Sequence, residues 1–380
     1  MSIRGRSFLR AFLVMVGTII GAGIFGLPAA FARVGFIPGT VLFFFLALVV
    51  TATHLIMAEQ LLATGERERL AGLARRGLGE FAYEVTSLTY PLGILAANFA
   101  YIILGGEFLA VMASGLGVQL PIALWQIAFW AGGALTVMFG LKMVARVESY
   151  ATAALLLVIG GVLLLALPLI DMRQVATASW HDWHLPFGVF LFSLSGMSVV
   201  GEVVEMTTRR RRDTYLALIA GTLLSALVSW GFGVALFLAA HGDPIRNAAD
   251  MVSVLPSHAA WIVPLLGFLA VATSYITTAQ DLRVTFEYDH KWKPYVALAA
   301  ALLTPLALLA VLSRDFLAMI GFIGSVFIGI NGVVIAALGY KAFFRHRDYL
   351  RHVLGTAACA LLIGVYVFGI LQRLFSRTSL

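Results

Sequence analysis

The sequence predicts an all-α integral membrane protein, and three observations carry that expectation. Of 380 residues, 61% are hydrophobic and only 12% are charged, whereas a soluble domain is about a quarter charged. The mean hydropathy is +0.95. The apolar residues also gather into long Leu/Ala/Val/Phe runs of helical length, without the ten-residue alternation of a membrane barrel. Hydrocarbon offers no partners to open backbone, so such runs are expected to be helices.

Eleven runs reach the roughly 20 residues that a bilayer core requires. They are 8–32, 36–62, 87–114, 121–141, 147–170, 186–207, 214–240, 257–281, 293–312, 315–343 and 352–374. The first is too long, and too closely followed by the second, to read as a cleaved leader. The chain therefore reads as one membrane domain, 1–380.

The first span is broken from within. Its stretch Gly17-Thr18-Ile19-Ile20-Gly21-Ala22-Gly23-Ile24-Phe25-Gly26-Leu27-Pro28 sets three glycines within six residues, each weakening a helix by about 1 kcal/mol relative to Ala. Unwound backbone at membrane depth persists only where protein or a water-lined cavity satisfies it. Close helix packing on small residues is the other reading of such a stretch, and a second interruption weighs against it. The sixth span runs Phe192-Ser193-Leu194-Ser195-Gly196-Met197-Ser198, with Gly and Ser in mid-run.

The two breaks lie five spans apart. Interrupted segments in corresponding positions of two halves point to a secondary transporter built from inverted repeats, with its site at the repeat interface. Repeats of five spans, 8–170 and 186–343, invert the second half, and 352–374 is left as a peripheral eleventh helix. Half-helix N-termini suit a carboxylate, and unwound carbonyls suit an ammonium group or a cation. A zwitterionic amino acid matches both.

Orientation follows from the basic residues. Alternating connections place 20 of the 26 on the side of the N-terminus, including Arg67, Arg69, Arg75, Arg76, the run Arg209–Arg212, Arg345 and Arg347; Arg33, Arg173, Arg246, Arg314, Arg373 and Arg377 fall opposite. Positive residues stay in the cytoplasm, so the expected arrangement is a cell-membrane protein with its N-terminus inside and its C-terminus outside. The net charge of +7 is then a topology signal beside anionic lipid, with no nucleic-acid partner. The single Cys, Cys359, excludes a disulfide framework within one chain. With no P-loop or dinucleotide fingerprint in the sequence, the energy is expected from a gradient or exchange. No charged ring or filter repeat suggests a channel, and no enzyme activity is expected.

The segment Gly17–Pro28, GTIIGAGIFGLP, resembles the helix 1 signature of the amino acid–polyamine–organocation superfamily, which has the leucine-transporter fold. Gly196, followed by Glu205 and then a basic run, is similar to that superfamily's helix 6 order. The stretch from Ala272-Thr273-Ser274-Tyr275 through Gln280-Asp281-Leu282 to Tyr288-Asp289 resembles the branch of the bacterial tyrosine and tryptophan permeases and the amino acid/auxin permeases. The resemblance covers the first ten spans. It implies an amino acid permease with substrate held around Ile19, Gly21, Ala22 and Gly23 and around Ser193, Ser195, Gly196 and Met197. Asn98 and Tyr101, one turn apart in the third span, face that site if the span lines it. The sixth span departs from many relatives in placing Ser195 and Met197 beside the glycine. Small residues around the break leave room for a large neutral side chain, aromatic ones included.

Candidates for coupling each carry two readings. Thr273 and Ser274, one turn beyond Ala270, put two hydroxyls at membrane depth. Hydroxyls with carbonyls suit a hard cation, and the resemblance implies a sodium site completed by the Gly17 and Ile20 carbonyls. The same hydroxyls can instead bond back to their own helix. Glu107, about seven residues or roughly 10 Å from the outer end of its span, is a proton carrier or a structural hydrogen-bond partner. Glu202 and Glu205 share a helix face and either gate, carry a proton or pair with arginine. His54 titrates or sits as a satisfied core histidine, and Asn331 in the glycine-rich tenth span reads as a cross-helix packing bond. Trp180 and Trp183, around His181, Asp182 and His184, read as interfacial anchors rather than a metal site. Sodium or protons are the only cofactor-like species expected.

Overall fold

The computed structural model describes residues 3–64, 69–139, 141–176, 184–241, 245, 247–256, 261–312, 314–344 and 349–375. Trp180, His181, Asp182, Trp183, Arg67, Arg246, Arg345, Arg347 and Arg377 lie outside them. Among the described residues the regular elements are all helical: α1 (Ile3–Ile19), α2 (Leu27–Val34), α3 (Phe36–Thr64), α4 (Leu70–Leu78), α5 (Glu80–Ser114), α6 (Ile122–Met138), α7 (Leu141–Ala166) and α8 (His184–Leu194) in the first half of the chain. There follow α9 (Val200–Met206), α10 (Arg211–Ala239), α11 (Ala248–Val254), α12 (Ile262–Tyr288), α13 (Pro294–Leu308), α14 (Phe316–Phe322), α15 (Gly329–Phe344) and α16 (Tyr349–Phe375).

Eight helical stretches are long and apolar enough to cross a membrane: Ser7–Val34, Phe36–Thr64, Glu80–Ser114, His184–Met206, Arg211–Ala239, Ile262–Glu287, Phe316–Phe344 and His352–Phe375. Three shorter apolar helices, Ile122–Met138, Ala154–Leu169 and Pro294–Leu308, fall where the fourth, fifth and ninth spans were expected. This is a multi-pass membrane protein. Large apolar side chains such as Phe81, Leu157, Phe139 and Val311 stay exposed on its outside, as a hydrocarbon solvent permits.

Boundaries moved where helix outlasts hydrophobicity. The third expected span begins at 87, yet α5 starts at Glu80, one residue after Gly79 at φ +101. The short α4, rich in Arg, carries no long apolar run and was not anticipated. The eighth span continues to Tyr288 because Asp281, Arg283 and Glu287 find partners there, Arg283 Nε donating to Glu287 Oε1 at 2.7 Å.

Helices touch by seating rings where a side chain is missing. The Phe129 ring lies over Gly105, Phe108 over Gly267, Tyr275 against Gly133 and Tyr366 against Gly332, each in the space a Cβ would fill. In lipid there is little hydrophobic drive between helices, so close packing on small residues carries the association. The α8 and α14 helices approach backbone to backbone, Gly188 facing Gly321 and Gly324. At the periphery α16 packs on α15, and the Tyr366 and Thr53 hydroxyls meet at 2.8 Å to tie it to α3.

Candidate functional site

The first span is interrupted where the glycines fall. After Ile19 the Gly21 N–H turns back to the Ile19 carbonyl at 2.9 Å and Gly21 takes φ −123, ψ −149. A 3₁₀ turn, Ala22–Gly26, leads into α2, whose first turn carries Pro28, a position where its missing N–H costs nothing. The sixth span breaks in the same way: α8 ends at Leu194, Ser195 and Gly196 are non-helical, and a 3₁₀ turn, Met197–Val199, leads into α9.

The two breaks lie against each other. A Cβ on Gly23 would stand 2.7 Å from Ser193 Cα, and one on Gly196 would stand 3.0 Å from Ile19 Cγ1. Gly21 abuts Ser274, with no room for a Cβ, and the Ala22 N–H donates to Ser274 Oγ at 3.2 Å. The loose amide left by the first break is thereby satisfied by α12, as buried backbone requires.

Around this junction lies a cavity of about 130 Å³. The first span lines it with Gly17, Thr18, Ile19, Gly21, Ala22 and Gly23; the sixth with Phe192, Ser195, Met197 and Ser198; α5 with Tyr90, Gly93, Ile94, Ala97 and Tyr101. The α12 helix presents Thr273, Ser274, Thr277 and Thr278, and the last wall is Ile323, Phe327, Ile328 and Asn331. The lining thus combines hydroxyls with aromatic rings, the Tyr101 and Phe192 centroids standing 6.2 Å apart. The Thr18 hydroxyl is buried and meets no described hydrogen-bond partner.

Most of the residues singled out from the sequence meet here, and some do not. Gly17, Ile19, Gly21, Ala22, Gly23, Tyr101, Ser195, Met197, Thr273 and Ser274 line the cavity. Ser193 is turned away, its hydroxyl donating to the Phe190 carbonyl at 3.0 Å. Gly196 is buried behind the wall, and its N–H donates to His54 Nε2. Asn98 stands one layer back, Oδ1 at 2.5 Å from the Thr278 hydroxyl. Ile20 and Ala270 do not line the cavity; the Ala270 carbonyl accepts from Thr273 at 3.0 Å and Ser274 at 2.9 Å. Both hydroxyls thus bond back to their own helix while Ser274 also accepts from the first break.

The carboxylates stand outside the cavity. Glu107 Oε2 accepts the Ala248 N–H at 3.2 Å, so it fastens the start of α11 in the manner of a structural partner. Glu202 and Glu205 are exposed on α9. The amide Nδ2 of Asn331 donates to the Phe327 carbonyl at 2.9 Å and its Oδ1 accepts from Thr89 at 3.2 Å: it joins α15 to α5, yet it also faces the cavity.

Sequence reasoning passed over Tyr90, Gly93, Thr277, Thr278 and Phe327. Four of these had a signal. Tyr90, Gly93/Ile94, Ala97 and Tyr101 follow one helix face at three- and four-residue steps, and Thr277 and Thr278 repeat Thr273 and Ser274 one turn on. Phe327 had none, because it sits in a π-helical segment, Ile323–Ile328.

At the end of the cavity formed by Tyr90, three elements are clamped. The Tyr90 hydroxyl donates to Asp281 Oδ2 at 2.8 Å, and Arg69 Nη1 donates to Asp281 Oδ1 at 2.8 Å and to the Thr285 hydroxyl.

Among the described residues, an all-helical, multi-pass bundle with two broken helices meeting at a cavity has the architecture of the leucine-transporter fold. A crystal structure of MhsT in complex with L-phenylalanine has that fold: it matches with a TM-score of 0.71 over 96% of this chain and 98% of its own, at 12% identity. The inward-facing conformation of Mhp1 matches with a TM-score of 0.58 over 97% and 88%, at 15% identity. The chain belongs to the tryptophan/tyrosine permease family, whose sequence profile matches residues 4–376. It is 20% identical over 327 residues to glutamine transporter 2 of Aliivibrio fischeri, covering 83% of this chain and 84% of the relative. A tryptophan-specific transport protein of Pseudomonas aeruginosa is 26% identical over 158 residues, 41% of this chain and 38% of that protein. The chain is thus an amino acid permease and not an enzyme.

Proposed function

We propose that this permease is a secondary active transporter of neutral L-amino acids with large, aromatic side chains, working by alternating access and driven by a sodium or proton gradient. The observation that carries the reading is the cavity between the two helix breaks, lined by hydroxyls, unwound backbone and aromatic rings together. Its polar lining, the unwound backbone at the two breaks and the Thr18 hydroxyl that meets no described partner, suits an ammonium and a carboxylate. The lining residues Tyr101, Phe192 and Phe327 offer ring contacts, worth about 0.5–1.5 kcal/mol each beyond area burial. Among the described residues no acidic side chain lines the cavity, which disfavours cationic substrates.

The wider architecture belongs to the same proposal. Eleven crossings, five-span repeats at 8–170 and 186–343 related by inversion, and a peripheral helix at 352–374 accord with two halves that break alike. The bias of basic residues supports a cytoplasmic N-terminus and an outer C-terminus, and the motif resemblance supports a place in the amino acid–polyamine–organocation superfamily. For sodium, the proposed ligands are the Thr273 and Ser274 hydroxyls with the Gly17 and Ile20 carbonyls; for protons, the proposed carriers are Glu107, Glu202 and Glu205.

The test is counterflow into proteoliposomes with a panel of L-amino acids that includes tryptophan, tyrosine, phenylalanine and glutamine. Saturable, stereoselective exchange with aromatic substrates preferred is expected, and absence of exchange across the panel overturns the reading. Replacing sodium by choline at fixed pH and adding a protonophore then separates the driving ions.

A further inference from the structure

The break in the sixth span frees a peptide N–H from its helical carbonyl, and the group that receives it comes from another helix. The Gly196 N–H donates to His54 Nε2 at 3.2 Å, while His54 Nδ1 stands 3.2 Å from Thr222 Oγ1. His54, on α3, is 1% exposed, and Thr222, on α10, is fully buried. The acceptor role fixes the state of the ring. Nε2 receives a hydrogen from Gly196 and so carries none of its own; the hydrogen of the neutral imidazole then sits on Nδ1, directed at the Thr222 hydroxyl oxygen. One side chain, in one tautomer, joins α3, α10 and the unwound turn between α8 and α9.

We propose that His54 is a positioning residue for the substrate cavity: its Nε2 lone pair replaces the missing helical carbonyl at Gly196 and sets the backbone that presents Ser195, Met197 and Ser198. Two features make the placement specific. Gly196 is packed by Met15 and Ile19, with a Cβ position 2.7 Å from Met15 Cε, so the turn is held between those side chains and the His54 ring. Thr222, in turn, accepts the Nδ1 hydrogen and orients the ring, while the Gly196 N–H, a donor only, sets the tautomer. Only the last step of the inference, from backbone position to amino acid binding, rests on the function proposed above.

The experiment uses the full-length protein in detergent or nanodiscs. It follows hydrogen exchange of peptides covering 192–200 and binding of L-tryptophan, in His54→Leu, His54→Gln and Thr222→Val. His54→Leu keeps bulk and removes the acceptor; exchange in this segment is expected to rise, and L-tryptophan affinity to fall, by about tenfold, the effect of leaving one buried donor unpaired. His54→Gln restores an acceptor oxygen and is expected to recover most of both. Thr222→Val is expected to lie between, since the ring survives but loses the hydroxyl that orients it. Wild-type exchange in His54→Leu, or a Gln variant as impaired as Leu while equally folded, overturns the proposal. Should His54→Leu fail to fold, unchanged exchange in Thr222→Val overturns it instead. If wild type binds no amino acid, the transport reading fails while the exchange pattern still decides the role of His54.

Discussion

Gly23 shows how little space the site leaves at the residue scale. Its missing Cβ faces Ser193 Cα at 2.7 Å, so the contact is with backbone and no flexible side chain can yield. Gly23→Ala is expected to push the two breaks apart, costing about 1–3 kcal/mol as overpacking does and weakening amino acid binding about tenfold or more. Gly132 is the control. A Cβ there meets nothing within 4 Å, so Gly132→Ala is expected to leave uptake unchanged and to hold or raise the thermal midpoint, because Ala favours helix by about 1 kcal/mol over Gly. Uptake and melting of both variants, measured side by side, check the argument; equal behaviour of the two would refute it. The contrast also marks what a sequence can say about glycine. The cluster at 21, 23 and 26 was legible as a break because three such residues crowd one turn, but Gly132 looks no different from Gly133, which holds the Tyr275 ring. Space decides between them, and space is tertiary.

At the scale of elements, α12 and α5 were half legible and the tenth span was not. A helix face repeats every three or four residues, so Thr273 and Ser274 imply Thr277 and Thr278, and Tyr101 implies Ala97, Ile94 and Tyr90. The glycines at 321, 324, 329 and 332 read as a packing stripe, and several are: a Cβ on Gly324 would collide with the Gly188 carbonyl. Gly324→Ala is therefore expected to lower the thermal midpoint by several degrees, whereas Gly364→Ala, with no neighbour within 4 Å on the lipid side, is expected not to. What no spacing rule announces is the π-helical turn at Ile323–Ile328, which departs from the period on which such rules rest. It carries Phe327 into the cavity, where Gly93 makes way for it: a Cβ on Gly93 would lie 2.9 Å from Phe327 Cβ. Gly93→Ala is expected to drive the Phe327 ring into the cavity and so to reduce binding of L-tryptophan more than that of L-alanine. Thermal stabilisation by the two amino acids measures the ratio, and an unchanged ratio would remove Phe327 from the specificity wall.

For the whole molecule the question is what separates the cavity from the aqueous phase on the side of α4. Tyr90 lines the cavity and is held by Asp281, which also binds Arg69; α4, α5 and α12 meet through that one carboxylate. The pair is partly sheltered, with side-chain exposures of 30% for Arg69 and 16% for Asp281, so its hydrogen bonds fall in the range of about 1.5–3 kcal/mol for charged partners rather than the near-zero value of a surface pair. Were the cavity to open on this side, as the proposed alternating access asks, this contact would have to part, and an interaction of that size would bias the populations by about tenfold or more. Asp281→Ala is therefore expected to favour the form open on the α4 side, whereas Asp281→Asn, which keeps an acceptor for Tyr90, is expected to do so less. The chain makes the measurement simple because Cys359 is its single cysteine and is buried. In a Cys359→Ala background with Thr277→Cys as the cavity reporter, a membrane-impermeant thiol reagent applied from the α4 side should label several-fold faster once Asp281 is Ala. It should label no faster when Glu80, whose Arg75 partner is exposed at the surface, is replaced instead. Equal rates in all three proteins would show that the barrier lies elsewhere in the bundle.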